Sequence, residues 1–220
     1  MTIEFYYTSG GPFAWRCLLA LEAKRLAYTP RLMNLANQDH RTPAFLALNP
    51  RGTLPVLRDG SIVVRESQAI LFYLDRAYPQ PELFGRSAGE AARVMQEICE
   101  QGSYLEGPLK AVLGPLMFGL EDKLAGVPAA VTALEGEFKT LDARLAREPW
   151  LAGETMTMAD INLYPFLPSL ERALGKPEAA GLGAKLTPVA DRFPGIARWM
   201  KAVEAMPGYQ RTTPVQVGGH

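Results

Sequence analysis

Cysteine and histidine are scarce in this chain, with two residues of each type among 220. Cys17 and Cys99 are far apart and form no Cys-x-x-Cys pair, so neither a disulfide framework nor a zinc site is indicated. Net charge is also lacking, because 23 basic residues balance 23 acidic ones. Proteins that bind nucleic acid or anionic membranes usually carry a basic surface. We therefore expect a small molecule or another subunit as partner, and neither nucleic acid nor membrane.

Long apolar runs are missing as well. The longest stretches without a charged residue, such as 111–120, are too short to cross a bilayer. Residues 1–4 are not a basic segment followed by an apolar run, so no secretory signal is predicted. These absences favour a cytosolic protein. Its length of 220 residues allows one large domain or two small ones.

The first part of the chain alternates between strand and helix patterns. Ile3, Phe5 and Tyr7 alternate with other residues in a strand pattern that ends at Ser9-Gly10-Gly11-Pro12. Pro12 is suited to the first turn of a helix over 13–24, because its missing N–H has no intrahelical partner there. The other predicted elements are strand 28–34, helix 39–48, strands 54–57 and 62–64 joined in a hairpin at Asp59-Gly60, and helix 66–77. This order predicts a small mixed sheet with helices on its faces.

Beyond Tyr78-Pro79-Gln80-Pro81 the strand patterns stop. We place a domain boundary here, with domains at 1–81 and 82–220, and expect the second to be all-helical. Its predicted helices are 89–119, 127–147, 158–174 and 196–206. The first of these should break near Gly107 or Gly114, and the pattern leaves the local structure of 175–188 open.

Three features follow one another between Asn49 and Ser67. Residues 49–57 form a turn and then a strand with a proline near its start, Asp59-Gly60 is a turn, and Glu66-Ser67 begins a helix whose free N–H groups could hold an anion. Each feature alone is common in proteins that bind nothing there. Together, and with this spacing, they resemble the glutathione-binding half of the cytosolic glutathione S-transferases.

The resemblance continues through the second half of the chain. Residues 150–160 are similar to the family's helical-domain signature, and Phe193-Pro194 with Trp199 and Pro207 is similar to its C-terminal helix. Within the family, Trp15-Arg16 and His40-Arg41 look most like the rho-type enzymes and their bacterial relatives. The resemblance implies an N-terminal thioredoxin-like α/β domain, with a mixed four-stranded sheet and three helices, and a C-terminal helical bundle. It also implies a two-fold symmetric homodimer.

For activity, the resemblance implies a glutathione S-transferase that activates the glutathione thiol for attack on an apolar electrophile. Glu66 and Ser67 match the γ-glutamyl site, Leu54 would pair with the cysteinyl backbone if Pro55 is cis, and His40 with Arg41 matches the position that binds the glycyl carboxylate. The glutathione-binding set implied in this way is His40, Arg41, Thr53, Leu54, Pro55, Glu66 and Ser67. No metal ligand is implied.

The catalytic position departs from the family's pattern. Aligned through Pro12, it falls on Gly11, where many relatives carry an activating Ser or Cys. A free thiol must lose about two pKa units to be mostly thiolate at neutral pH, which is more than a helix N-terminus supplies. Either a hydroxyl near this loop donates a hydrogen bond to the thiolate, or activity is low. The hydroxyls there are those of Tyr6, Tyr7, Thr8 and Ser9, and only one of the two tyrosines can face the site because they are neighbours on a strand. We choose Ser9 as the donor, with Tyr7 and Thr8 as alternatives.

Other interpretations of the chain stay open. A binding or assembly module that kept the fold and lost the chemistry, or a glutathione-dependent peroxidase, would have a similar sequence. A dithiol oxidoreductase is excluded, since no cysteine stands at 10–13.

Asp160 is expected to cap a helix with Thr157, a role worth about 1 kcal/mol. Some of five apolar residues should line the pocket for the second substrate: Tyr104, Met117, Phe118, Tyr164 and Phe166.

Overall fold

A mixed sheet organises the first part of the molecule. The computed structural model describes residues 2–182 and 185–214. Its strands are β1 Ile3–Tyr7, β2 Tyr28–Leu32, β3 Val56–Asp59 and β4 Ile62–Arg65, in the spatial order β2-β1-β3-β4. β2 runs parallel to β1, whereas β3 is antiparallel to both β1 and β4. The predicted mixed sheet and its hairpin are confirmed.

Three helices accompany this sheet: α1 Pro12–Ala23, α2 Pro43–Leu48 and α3 Ser67–Ala77. α1 begins at Pro12 as predicted. The helix predicted over 39–48 is instead divided into a 3-10 turn, Asp39–Arg41, and α2. Pro43 explains the division, because the residue before a proline is forced out of the helical region and Thr42 is extended, with ψ of 147°.

The rest of the described chain is helical, which confirms the predicted class. The helices are α4 Ala88–Glu100, α5 Glu106–Met117, α6 Val127–Leu145, α7 Met158–Leu163, α8 Phe166–Leu174, α9 Val189–Arg192, α10 Pro194–Glu204 and α11 Tyr209–Thr212. None of the helices in residues 2–182 and 185–214 is long and apolar enough to span a bilayer.

Prolines explain two differences from the predicted helices. The break expected near Gly107 or Gly114 lies earlier, in a π-helical turn over Gln101–Leu105, where the N–H of Glu106 donates to the carbonyl five residues before it. The ring of Pro108 excludes the carbonyl of the residue four positions earlier, which displaces the usual pattern. Pro165 likewise cannot donate a helical bond, and so the helix predicted over 158–174 is divided into α7 and α8.

Residue contacts divide the chain into two compact units. One contains the residues up to Leu83 together with those from Met206, and the other contains Phe84–Ala205. α11 therefore belongs to the first unit, where it contacts α1. The domain limits 1–81 and 82–220 stay a prediction, and residues 183–184 and 215–220 lie outside the described residues.

A buried carboxylate organises the second unit. Asp160, on α7, is fully buried and accepts hydrogen bonds from the N–H groups of Leu151 and Thr157, the Thr157 hydroxyl and the Trp199 indole, at 2.8–3.0 Å. Burial raises the pKa of Asp160, and these donors oppose the increase. The expected capping box is present. The bonds from Leu151 and Trp199 give Asp160 a larger role than capping, since they join three separate segments.

We expect Asp160→Ala to lower the free energy of unfolding by at least about 3 kcal/mol, because it leaves four buried donors without their acceptor. Thr157→Ala is the matched control. It removes the capping hydroxyl, which also donates one of the four hydrogen bonds to Asp160, and should cost about 1 kcal/mol. Urea unfolding of both variants measures the difference, and equal losses would show that Asp160 is only a cap residue.

A buried ion pair connects α1, α3 and the segment that leaves the first unit. Lys24 Nζ lies 2.9 Å from Asp75 Oδ1 and donates to the carbonyls of Tyr78 and Pro81. The N–H of Leu83 donates to the same carboxylate. Burial by itself would raise the pKa of Asp75, but the hydrogen bonds from Lys24, Leu83 and Arg76 outweigh burial and hold that pKa below its ordinary value.

This lowered pKa predicts how stability changes with pH. The contribution of Asp75 is fully present above its unfolded pKa of about 3.9, and it is lost as the pH falls through the lower folded pKa. At pH 7, Asp75→Asn should cost about 3 kcal/mol, because Lys24 is left as an unpaired buried charge. The gap from the wild type should narrow below about pH 4. Urea unfolding from pH 7 to 2.5 tests this, with the exposed Asp122→Asn as control, and a gap independent of pH would contradict it.

Candidate active site

The pairing of β1 with β3 defines one end of the sheet. Tyr6 lies opposite Val56, so Tyr7, the last residue of β1, lies beside Pro55. The loop that follows β1 is therefore adjacent to the Leu54–Pro55 peptide, which is cis. The predicted catalytic loop and the predicted cysteinyl site thus meet at the same edge.

The loop ends where α1 begins. Gly11 is the N-cap of α1 and is buried, and its carbonyl accepts the N–H of Trp15 at 3.0 Å. Gly10 has a φ of +86°, a conformation that favours glycine. The first turn of α1 contains no acidic residue, so its positive end is not neutralised locally.

A small cavity of about 40 Å³ lies against this loop. It is lined by Tyr7, Thr8, Ser9, Gly10, Gly11, Trp15 and Leu18 and by the C-terminal residues Arg211, Thr212, Thr213 and Pro214. All three predicted hydroxyl donors are therefore gathered beside the N-terminus of α1.

Tyr6 and Tyr7 face opposite sides of the sheet, as neighbouring strand residues must. The Tyr7 ring stacks on Phe5, with 5.3 Å between centroids, whereas Tyr6 packs against Phe45 of α2 at 6.0 Å. Burial raises the pKa of Tyr7, so its hydroxyl keeps the proton that a donor needs. Tyr7 is thus the tyrosine of the cavity.

The predicted γ-glutamyl residues lie at the start of α3. Ser67 is its first residue and is buried, while Glu66 is exposed at the N-cap with a φ of +67°. Non-glycine residues seldom adopt this conformation, which tends to occur at ligand sites. The Cys17 thiol of α1 donates to the Ser67 carbonyl at 3.7 Å, so the start of α3 packs against α1. Burial raises the pKa of Cys17, which makes it a packing residue and not a nucleophile.

His40 and Arg41 lie beside the segment that leads to Leu54. The Arg41 guanidinium is 3.5 Å from the Arg51 carbonyl and close to Gly52, where an added Cβ would lie 2.7 Å from Arg41 Nη1. Nδ1 of His40 is buried and has no hydrogen-bond partner among the residues that the structure describes. A ligand can supply the missing partner.

Asn49 is the site residue that the sequence analysis missed. It is fully buried, and its amide nitrogen donates to both the carbonyl and the hydroxyl of Thr53, at 2.8 and 3.0 Å. Its side-chain oxygen accepts the Arg51 N–H and its carbonyl accepts the Gly52 N–H. Asn49 therefore determines the path of the chain into Leu54. The signal was its place at the start of the 49–57 feature, before Pro50 and Gly52, where we assigned it to a turn and gave its side chain no role.

The structure thus brings the predicted residues into one area. Tyr7, Thr8 and Ser9 lie beside Leu54–Pro55 through the sheet register. β4 ends at the same end, because Arg65 lies opposite Val56, and so the start of α3 follows there. His40 and Arg41 adjoin the turn before Thr53. Among the described residues, no group of three or more His, Cys, Asp and Glu side chains could hold a metal ion.

Two family profiles match this chain. Residues 5–82 match the glutathione S-transferase N-terminal domain, and residues 124–202 match the glutathione S-transferase C-terminal domain. Glutathione S-transferase 3 of Zea mays is 34% identical over 218 residues, which cover 96% of this chain and 92% of that protein. The chain belongs to the glutathione S-transferase family.

Solved structures of glutathione transferases share the fold. Poplar glutathione transferase F1 superimposes with a TM-score of 0.82 at 20% identity, over 96% of each chain. Glutathione S-transferase-I, solved with the ligand lactoylglutathione, superimposes with a TM-score of 0.79 at 24% identity, over 96% of this chain and 98% of that one. Membership of the rho-type subclass stays a prediction.

Asn49→Ala should lower the free energy of unfolding by about 2–3 kcal/mol, because it leaves Thr53 and Arg51 backbone groups without their partner. Asn37→Ala changes an exposed asparagine of the same unit and should cost under about 0.5 kcal/mol. Urea unfolding compares them. A similar small loss in both variants would show that Asn49 does not hold this turn.

Proposed function

We propose that this glutathione S-transferase family member binds glutathione at the end of the sheet and activates its thiol for attack on an apolar electrophile. The observation that carries the proposal is the meeting of the Thr8–Gly11 loop, Leu54–Pro55 and Ser67 at that end, which follows from the registers of β1 with β3 and of β3 with β4. We further propose the cytosol as its location.

The start of α3 suits the γ-glutamyl group. Its N-cap side chain makes no capping hydrogen bond and its first turn has no acidic residue, so the first N–H groups and the Ser67 hydroxyl can take a carboxylate. The exposed Glu66 carboxylate can take the ammonium group. By comparison, α4 and α7 begin with complete capping boxes, which occupy the equivalent positions.

The remainder of glutathione has matching partners in this proposal. The backbone N–H and carbonyl of Leu54, next to Pro55, pair with the cysteinyl segment as an added strand would. His40 and Arg41, with Thr53 beside them, supply donors for the glycyl carboxylate. The missing partner of His40 Nδ1 supports this role.

Thiol activation then requires a donor at the start of α1. Lowering the thiol pKa by two units takes about 2.7 kcal/mol, of which the helix N-terminus supplies about 0.3–1 kcal/mol. A hydroxyl that donates to the thiolate adds about 1.5–3 kcal/mol. We propose Ser9 as this donor, because it directly precedes Gly10 and Gly11, where the backbone allows close approach of the sulfur. Tyr7 and Thr8 line the same cavity and are the alternatives.

Three matched variants, Ser9→Ala, Thr8→Val and Tyr7→Phe, identify the donor. Ser9→Ala should raise the pKa of bound glutathione by about one to two units, because the thiolate loses one charge-assisted hydrogen bond. Turnover should fall, while glutathione affinity stays nearly unchanged. Thiolate absorbance against pH measures the pKa, and a larger shift in Thr8→Val or Tyr7→Phe would assign the role to that residue.

Binding is tested separately from turnover. Glu66→Ala and Ser67→Ala should each weaken glutathione binding by about 10- to 150-fold, the equivalent of about 1.5–3 kcal/mol for a charge-assisted contact. Calorimetry on the folded variants measures this, and unchanged affinity in both would contradict the assignment.

Conjugation to a chlorodinitrobenzene-type acceptor then separates the enzyme from a binding module, which would bind glutathione without turnover. A hydroperoxide assay at the same glutathione concentration tests the peroxidase alternative.

Three of the five residues considered for the acceptor pocket are accessible. Tyr164 and Phe166 are fully buried in the second unit and pack in its core. Tyr104 and Phe118 are exposed and Met117 is half-buried. Met117 also lines a groove of about 340 Å³ in that unit. We propose these three as the candidates for contact with an apolar acceptor.

We propose a two-fold symmetric homodimer in which α3 and α4 of one subunit pack against those of the other. Exposed apolar side chains support it, with Phe72 of α3 48% exposed and Met95 of α4 39% exposed. Phe72→Glu should then shift the light-scattering mass from a dimer to 24.1 kDa, because a charge would be buried at the interface. Leu32→Glu, the same change at an exposed residue of β2, should not. A wild type at 24.1 kDa at micromolar concentration would contradict the proposal.

A further inference from the structure

The C-terminal turn is joined to α1 beside the candidate thiol site by a buried hydrogen bond. The indole N–H of Trp15 donates to the hydroxyl oxygen of Thr212 at 3.0 Å, and both side chains are almost fully buried. The Thr212 hydroxyl in turn donates to the Tyr209 carbonyl at 2.7 Å. The hydroxyl is thus both acceptor and donor, which determines its orientation.

Two further contacts hold the same turn in place. The Arg211 guanidinium forms an ion pair with the mostly buried Glu22 of α1. Gly208, before the turn, has a φ of +86°, and an added Cβ there would lie 2.4 Å from Glu22 Oε2. The turn therefore approaches α1 closely along nearly its whole length.

The position of Trp15 connects this anchor to the candidate site. Its backbone N–H donates to the carbonyl of Gly11, which is the N-cap of α1. The indole that bonds to Thr212 is thus attached to the first turn of α1. Trp15 and Thr212 also line the cavity of about 40 Å³ that is lined by Tyr7, Thr8 and Ser9. Trp15 and Thr212 therefore form one wall of this cavity, and this wall limits the access of water to the sulfur of bound glutathione. A lower local dielectric strengthens a hydrogen bond to a thiolate.

We propose that Thr212 is a positioning residue for thiol activation: its hydrogen bond to Trp15 holds the start of α1 and the adjacent loop in the geometry that stabilises the glutathione thiolate. The proposal rests on the proposed function, because it concerns the thiol of bound glutathione. Thr212 acts through Trp15 and is not itself a donor to the sulfur.

Thr212→Val tests this with little change of shape and no change of charge. Since Arg211 and Glu22 are retained, the charged groups at this wall stay the same. The pKa of bound glutathione should rise by about half a unit to one unit and kcat should fall about 3- to 10-fold, while KM for glutathione changes less than about twofold. Thr212→Ser keeps the hydroxyl and should restore the wild-type pKa and kcat. Thr132→Val, which removes an exposed hydroxyl on α6, should behave as the wild type.

Trp15→Phe removes the other half of the bond. If both residues act through this bond, the pKa of bound glutathione in the double variant, Thr212→Val with Trp15→Phe, should shift by less than the sum of the shifts in the two single variants. Additive shifts would overturn the proposal. An unchanged pKa and kcat in Thr212→Val, with an active wild type, would overturn it and leave the proposed function standing.

Hydrogen exchange on the wild type provides a measurement that does not depend on any variant folding. If the turn and the site are coupled, glutathione should slow amide exchange in residues 209–213 as well as in 8–15, because coupling is reciprocal. Slower exchange in 8–15 alone would overturn the proposal. A wild type that binds no glutathione in calorimetry would overturn the proposed function and this inference together.

Discussion

The antiparallel pairing of β1 with β3 is the constraint on which the candidate site depends. Because Tyr6 lies opposite Val56, the residues that follow β1 and those that precede β3 must share one end of the sheet. α1 begins there, β4 ends there because Arg65 lies opposite Val56, and Cys17 of α1 contacts the Ser67 carbonyl at the start of α3. Segments that are more than forty residues apart in the chain thus meet through backbone register and one helix contact.

Short polar side chains determine the irregular segments around this framework. Asn49 holds the turn before Leu54, Asp75 holds the segment that leaves the first unit, and Asp160 holds the start of α7. Each is buried, and each bonds to at least one backbone group that lies outside the helices and strands, namely those of Thr53, Leu83 and Thr157. Since an unpartnered polar group in a low-dielectric interior is costly, such a network favours one loop geometry over its alternatives.

The electrostatics of the site come largely from the backbone. α1 and α3 begin at the same end with no acidic residue in the first turn and no side-chain capping hydrogen bond, so the positive end of each helix dipole favours an anion there. The γ-glutamyl carboxylate and the thiolate of glutathione are two anionic groups that such ends can hold. The C-terminal turn completes the wall at α1, and this explains why the end of the chain belongs to the first unit.

The sequence by itself determined the order and type of most elements, the hairpin, and the resemblance of residues 49–67 to the family's glutathione-binding half, because strand alternation, turn residues and motif spacing are local properties. Where it was wrong, a proline acted within a longer periodic segment, as Pro43 and Pro165 do. Only the tertiary structure decided that Tyr7 and not Tyr6 borders the cavity, that Asn49 supports Thr53, and that Thr212 joins Trp15. Trp15 and Thr212 are separated by 197 residues. Sequence periodicity contains no information about contacts of that range, because such contacts depend on how the folded elements pack.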